Sequence, residues 1–182
     1  GRVVGRLKGS PAAWSIAGST AVDGVQVGDY RLVRVTGPAT LAVRDGILTA
    51  QATLQGAGGG GKGVLAGLAG AAPRVFIDLT RFKDGRVLIR SLKLVGAGVR
   101  VDASGSRGLL GGLDFKGDLT VTNLAVARRG AAGAVSASWT ARQGGAGKPW
   151  LVSADARGSR FRSGMDELDR LLGPSPRLKA QA

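Results

Sequence analysis

The stretch VFIDLTRFKDGRVLIRSLKLVGAGVRVD, residues 75–102, decides the fold of this chain. Apolar and polar residues alternate over short segments within it, which is typical of β-strands that have one buried face. Lys83-Asp84-Gly85 and Gly96-Ala97-Gly98 separate the segments, and Ser91 marks an expected change of face. Because Asp-Gly between two alternating runs is a strong hairpin signal, the stretch predicts antiparallel strands joined by tight turns.

The same alternation continues over most of the chain. It predicts roughly a dozen short strands, at the spacing of an all-β protein. Asp45-Gly46 marks a second hairpin, and Gly37-Pro38 predicts a turn. Gly28 is expected to interrupt a single strand that runs over residues 25–35.

A short helix followed by a Pro-Arg pair occurs twice. LAGLAGAAPRV (residues 65–75) returns as LDRLLGPSPRL (residues 168–178), and the offset of matching residues is constant (176 − 73 = 103 for the Pro pair). In the second copy Ser163 is the predicted N-cap, and Gly173-Pro174 ends the helix.

This offset predicts how the chain is organised. Residues 1–63 are expected to end one β repeat, residues 64–163 to form a β repeat that opens with a short helix, and residues 164–182 to begin the next. The chain is therefore expected to be an internal part of a longer array.

The composition indicates a sparse interior. Aromatic residues make up only 4% of the 182 residues, and the apolar positions hold mostly Val, Leu, Ile and Ala. A closed barrel or sandwich has to fill its interior with bulky side chains. The composition therefore favours an all-β, elongated and curved antiparallel sheet, a U-shaped or taco-like β repeat with one or two short helices and an open apolar groove.

Cysteine and histidine are both absent. Disulfides and Cys-based metal sites are thereby excluded, together with the commonest general base and metal ligand. The glycine run at residues 57–63 lacks the spacing of a phosphate-binding loop, and no Ser or Thr follows Lys62. The sequence predicts no catalytic, metal-binding or cofactor-binding residue, and no enzymatic activity.

The charge is strongly basic, with 26 Lys and Arg against 12 Asp and Glu and a formal net charge of +14. The basic residues are scattered over polar strand positions and turns, without a block of five and without an aromatic platform for base stacking. This pattern favours a solvated polar face, and no nucleic acid is predicted as a partner. Attraction to anionic lipid headgroups stays open as an alternative.

Three stretches carry a family resemblance: LKLVGAGVRVDASGS (residues 92–106), GGLDFKGDLTVTNLAV (residues 111–126) and LLGPSPRLKA (residues 171–180). With the helix-plus-Pro-Arg openings, they resemble the periplasmic β-rich region of TamB-type (translocation and assembly module) proteins, within the wider AsmA-like group. The resemblance covers the chain from about Ser19 to its end, and it rests on the order of the motifs and the repeat length.

The resemblance implies a groove-bearing β structure in the periplasm, anchored to the bacterial inner membrane through a region outside this sequence. It implies phospholipid transport between the inner and outer membranes, and assembly or secretion of autotransporter-type outer-membrane proteins together with an outer-membrane barrel partner. Phospholipid acyl chains are the implied ligands, and the family brings no catalytic or cofactor residues. The side chains expected to line the groove, for which ordinary core packing is the alternative, are Val75, Ile77, Leu79, Val99, Val101, Leu113, Phe115, Leu119, Val121, Val135 and Trp139.

Two further functions stay open as alternatives. A secreted or surface β-repeat adhesin is the first, although the acidic residues do not show the fixed spacing of Ca²⁺-binding repeats. A hydrolase is the second, because Asp114 and Asp118 share one strand face. Alternation points that face outward, beside Lys116 and Thr120, and predicts a surface position for both carboxylates.

Overall fold

All strands lie in one antiparallel sheet that stays open at both edges. The computed structural model describes residues 1–182, and its strand order follows the chain, with the two-residue β5 pairing beside β3. The strands are β1 (Arg2–Ser10), β2 (Ala13–Val27), β3 (Tyr30–Arg44), β4 (Ile47–Ala57), β5 (Gly60–Gly61), β6 (Arg74–Arg81), β7 (Val87–Val95), β8 (Val99–Arg107), β9 (Leu113–Val121), β10 (Ala132–Gln143), β11 (Trp150–Arg162) and β12 (Arg177–Gln181). The helices are α1 (Gly63–Ala69), the short 3₁₀ helix η1 (Leu124–Val126) and α2 (Asp166–Leu172). The prediction of a curved all-β sheet with short helices is confirmed, and neither α-helix has the length and apolarity needed to cross a membrane.

The predicted Asp-Gly turns are both present. Asp45 and Gly46 join β3 to β4 with φ angles of 52° and 71°, the left-handed conformation that a two-residue hairpin requires. Between β6 and β7 the turn is longer. The Phe82 N–H donates to the Arg86 carbonyl oxygen at 2.9 Å, and Gly85 has a φ of 87°.

Two predictions about glycine were wrong. Gly28 does not interrupt a strand; it lies in the turn between β2 and β3, where Val27 pairs with Tyr30. Gly37-Pro38 does not form a turn, because β3 runs through both residues. Proline has no N–H, and β3 accommodates it by pairing there with β2 while its pairing with β4 is interrupted.

A β-bulge in β7 keeps the apolar side chains of that strand on one face. The pairing of β7 with both β6 and β8 shifts by one residue in the segment that holds Arg90 and Ser91. Side chains alternate with period two, so one extra residue reverses the alternation. Ile89 and Leu92 therefore share a face, as the expected change at Ser91 predicts.

Asp78 on β6 holds the bulge in place. Its carboxylate accepts hydrogen bonds from the Arg90 guanidinium at 2.6 Å and from the Gln51 amide at 3.1 Å. The hydrogen bond from Arg90 lowers the pKa of Asp78 from its ordinary value, Gln51 lowers it further, and burial opposes both. The Asp78 side chain is only 16% exposed, so this pair is better shielded from solvent than the other ion pairs of the sheet.

We expect Asp78→Asn to lower the free energy of unfolding by about 1 kcal/mol at pH 7. Because the pKa is lowered in the folded state, the stabilisation is complete above the pKa of an unfolded aspartate, about 3.9, and is lost as the pH falls through the folded value. Urea unfolding of both proteins across pH 7 to pH 2 should show the difference shrinking with acid. The exposed-pair control Asp102→Asn should cost less, and a difference independent of pH would contradict the assignment.

The two α-helices begin and end at equivalent residues, 103 positions apart. Each has seven residues and ends at a glycine of positive φ, Gly70 at 70° and Gly173 at 66°. The following chain is held in the same way in both copies: the Gly56 N–H donates to the Pro73 carbonyl at 2.7 Å, and the Gly158 N–H to the Pro176 carbonyl at 2.9 Å. The two helix segments that match in the sequence therefore also have the same local structure.

The equivalence extends to the strands before each helix. The order of elements and their antiparallel pairing are the same in two parts of the sheet. The first part is β1–β4, α1 and β6, and the second is β8–β11, α2 and β12; β7 is the additional strand between them. A repeating unit of this type holds six long strands and one helix. The repeat boundaries at residues 63 and 163 remain sequence-based predictions.

Ser163 is not the N-cap of α2, contrary to the prediction. The helix begins at Asp166, with Met165 as the N-cap residue. The Ser163 hydroxyl oxygen instead accepts from the Met165 N–H at 3.1 Å, and its own N–H donates to the Asp169 carboxylate at 2.5 Å. That hydrogen bond lowers the pKa of Asp169. Ser163 thus stabilises the segment that leads into α2 through hydrogen bonds.

Candidate functional site

The register of the sheet brings the apolar side chains of almost every strand to one face, called the apolar face below. Residues paired directly across two antiparallel strands point to the same side of the sheet. One row of such pairs joins Leu54, Val75, Leu94, Val101, Leu119, Ala137, Ala156 and Leu178. A second row joins Leu7, Ile16, Leu41, Ala50, Leu79, Ile89, Gly105, Phe115, Ala141 and Val152.

All the predicted lining residues lie on this face. Val75, Val101 and Leu119 belong to the first row, and Leu79 and Phe115 to the second. A third row contains Ile77 and Trp139, and a fourth contains Val99, Val121 and Val135. Leu113 stands at the turn end of β9, opposite Arg107 and Gln143. The strand pairing therefore collects residues that are up to 64 positions apart in the sequence, from Val75 to Trp139.

Most of the apolar face is half-buried and has no second layer over it. Only 9 of the 182 residues are buried, and no side chain is less than 2% exposed. Two predicted lining residues are exceptions, because Val99 is 8% and Val121 6% exposed. Both lie at the strand ends beside α1 and η1, which makes them core residues of that end. The other predicted lining residues remain partly open to solvent.

Two aromatic rings on the apolar face lie over glycines of neighbouring strands. A Cβ added at Gly105 would meet the Phe115 ring, with Cε1 at 2.9 Å, and a Cβ added at Gly117 would lie 3.0 Å from Cζ2 of Trp139. Both glycines pair across the sheet near the ring they support. Because the rings lie flat against the backbone, they cover the sheet without filling the space above it.

The apolar face is larger than the predicted set of lining residues. It also includes Trp14 and Ile16 on β2, which pair with Val43 and Leu41 on β3. A depression of about 460 Å³ lies here, lined by Leu7, Trp14 and Ile16 together with turn residues. Alternation in AAWSIAG (residues 12–18) is the signal that could have assigned these residues to the lining.

The opposite face of the sheet is polar, and some of its charges form pairs between neighbouring strands. Arg34–Asp23 (3.0 Å), Arg142–Asp114 (3.3 Å) and Lys93–Asp102 (3.9 Å) join neighbouring strands on it. A depression of about 700 Å³ also lies on this face and is open and shallow. Charged and hydroxyl side chains predominate among its 14 lining residues, of which only two are hydrophobic, so it is a mainly polar, hydrated surface.

Asp114 and Asp118 lie on the polar face, as alternation predicts. The Asp114 carboxylate pairs with Arg142, and the Asp118 carboxylate accepts from the Ser138 hydroxyl at 2.7 Å. They stand four positions apart on one strand, or about 13 Å. Paired catalytic carboxylates of glycosidases stand roughly 5–9.5 Å apart, so this geometry does not form such a pair.

The comparisons with known proteins return no relative. No protein-family model, no curated protein sequence and no solved structure matches this chain.

Proposed function

We propose that this chain is a non-enzymatic segment whose apolar face holds phospholipid acyl chains. Its proposed role is phospholipid transport between the inner and outer membranes of a bacterial envelope, assembly and secretion of outer-membrane proteins, or both. The observation that carries the proposal is an apolar face that is continuous across the sheet, half-buried, and without a covering layer. Exposed apolar area of this extent is typical of an interaction surface.

The dimensions of the apolar face support an acyl-chain ligand. Successive strands stand about 4.8 Å apart, so the strand path from β1 to β12 extends about 48 Å along the sheet. The bilayer hydrocarbon core is about 30 Å thick for two leaflets, which gives one acyl chain a length near 15 Å. The face is therefore long enough for more than one chain, and each CH₂ group removed from water contributes about 0.8 kcal/mol before ordering costs.

The chemical asymmetry of the sheet supports the same ligand. In β6–β10 the charged residues of the apolar face are Arg81 and Arg107, and both stand at the turn end of their strands. The remaining charges of these strands lie on the polar face. An acyl chain that follows the rows of the apolar face would meet aliphatic side chains and alanines, while the charged face stays in water.

The cellular setting of the proposal rests on the sequence resemblance. It places the chain in the periplasm, as part of a protein anchored to the inner membrane, with an outer-membrane barrel as the assembly partner. The main alternative is a surface adhesin or binding module. An adhesin would present one face of the sheet to a protein or glycan and would have no need of lipid on the apolar face.

Site-specific photocrosslinking distinguishes the two functions. We expect a photoreactive side chain at Leu119 or Phe115 to capture phospholipid in cells, because both side chains are half-buried on the apolar face. Thr120 and Lys116 are the matched controls, since they are the next residues along β9 and point to the polar face. Capture at all four positions alike, or at none, would contradict the proposal.

A further inference from the structure

The last turn of α1 is covered by the turn between β7 and β8. The carbonyl oxygens of Leu68 and Ala69 accept hydrogen bonds from the N–H groups of Gly98 at 3.0 Å and Ala97 at 3.2 Å. A Cβ added at Gly96 would lie 2.5 Å from the Leu68 carbonyl oxygen and 2.8 Å from Cα of Ala69. The glycine-flanked turn therefore rests directly on the helix, and Ala69 is 5% exposed.

The equivalent surface of α2 has no cover. Leu171 and Leu172 stand 103 residues after Leu68 and Ala69, and their side chains are 79% and 38% exposed. No backbone N–H donates to their carbonyl oxygens. β12 pairs with β11 on one side only, so its outer edge offers free N–H and C=O groups beside the exposed Leu178.

We propose that α2 and β12 form an acceptor for a β-hairpin of the β7–β8 type. Its first strand pairs antiparallel with the free edge of β12, as β7 pairs with β6. Its turn is flanked by glycines and donates two N–H groups to the carbonyl oxygens of Leu171 and Leu172. Addition of strands to an exposed edge is an established mode of recognition, and here the helix beside the edge selects the turn.

The two copies also differ in ways that define the occupant. Arg170 stands where α1 has Gly67, the residue that closely approaches η1. Leu172 stands where α1 has the small Ala69. A long side chain at residue 170 is incompatible with the same close approach of a 3₁₀ helix, so the occupant is the hairpin alone, with space at its turn for a leucine. This interaction is independent of lipid binding.

The test uses cysteine accessibility, because the chain has no cysteine of its own. Leu171→Cys places a thiol on the exposed surface of α2, and Leu68→Cys places one at the equivalent, covered position of α1. Both variants also carry Leu172→Ala, because the β7–β8 turn covers an alanine at the equivalent Ala69 of α1. A copy of residues 80–107 is then added directly after Ala182, which occupies the position equivalent to Leu79. We expect the added hairpin to slow thiol labelling of Leu171→Cys at least tenfold, and amide exchange in β12 to slow with it.

Two controls make the result specific. Gly96→Val within the added copy should abolish the protection, because the side chain would collide with the end of the helix. Leu68→Cys should label slowly with and without the extension, which shows that the rest of the chain is folded. Rapid labelling of Leu68→Cys in the extended chain would show that the extension disturbs the fold. In that case the hairpin is supplied instead as a separate peptide of residues 80–107, in excess over the chain without the extension.

Unchanged labelling of Leu171→Cys in the presence of the hairpin would overturn the proposal. A second outcome would also overturn it. If labelling of the original chain slows with protein concentration while its mass doubles, the edge is occupied by a second copy instead of a hairpin.

Discussion

Phospholipid should no longer co-purify with the Leu119→Asp variant, with at least a tenfold drop in bound lipid per protein. Leu119 lies within the first apolar row, between Val101 and Ala137 on the neighbouring strands. In the lipid-free protein this site is half-open, so water can solvate the new carboxylate and the fold should survive. An acyl chain would remove that water, and an unpaired charge in apolar surroundings costs several kcal/mol. The substitution therefore destabilises the lipid complex and leaves the lipid-free protein folded.

The matched variant is Thr120→Asp, which adds the same charge one residue later on the polar face. Its bound lipid should equal that of the original chain, because the carboxylate stays in water and faces a basic surface. The two variants should differ little in urea unfolding, by about 1 kcal/mol. An equal loss of bound lipid in both variants would indicate an effect of net charge. If Leu119→Asp keeps as much bound lipid as the original chain, the apolar face is not the lipid-binding surface.

The strands and their shared face follow from local signals in the sequence. Period-two alternation assigns each side chain to a face, and Asp45-Gly46 reverses the chain with backbone angles that few other residue pairs adopt. Even the bulge at Ser91 is visible, because the apolar residues change phase there. Each of these features depends on residues that are close together in the sequence, so the local sequence is enough to predict it.

The wrong predictions concern features that depend on pairing between strands. Gly28 and Gly37-Pro38 carry the same kind of local turn signal, yet the first ends a strand and the second lies within one. The difference arises because β3 finds β2 as a partner along its full length, which no local pattern records. Burial of Val99 and Val121 likewise depends on α1 and η1, two helices that are far apart from each other in the sequence.

The long repeat is only partly visible in the sequence. The helix and Pro-Arg segment keep their residues at an offset of 103, since a left-handed glycine and close backbone contacts restrict them. The strands keep only their alternation: β9 begins at Leu113, whereas β2 begins with Ala13 and Trp14. A sheet with one open face accepts leucine or tryptophan at such a position, so residue identity drifts while pairing persists.

Gly67→Val should produce the largest loss of stability of any single substitution considered for this chain. A Cβ at Gly67 would collide with the carbonyl oxygen of Val126 and would lie 3.0 Å from Cα of Ala127. Both of these are backbone groups of the 3₁₀ segment, which cannot rotate away as a side chain can. Overpacking of this kind costs about 1–3 kcal/mol, which corresponds to a fall in melting temperature of about 2–12 °C for a chain of this size.

Arg170→Val is the matched control, because residue 170 is equivalent to Gly67 and is exposed on α2. It introduces the same β-branched residue into the same position of a seven-residue helix. Because Val is a better helix former than Gly and a poorer one than Arg, helix propensity alone predicts a small gain in Gly67→Val and a small loss in Arg170→Val. We expect its melting temperature to change little, by the effect of less than about 0.5 kcal/mol that is usual for surface sites. Thermal unfolding and amide exchange over residues 63–70 and 166–173 would separate the two. An equal fall in melting temperature in both variants would mean that α1 does not pack tightly between the β7–β8 turn and η1. A fall confined to Gly67→Val would identify α1 as the element that joins the end of one repeat to the strands of the next.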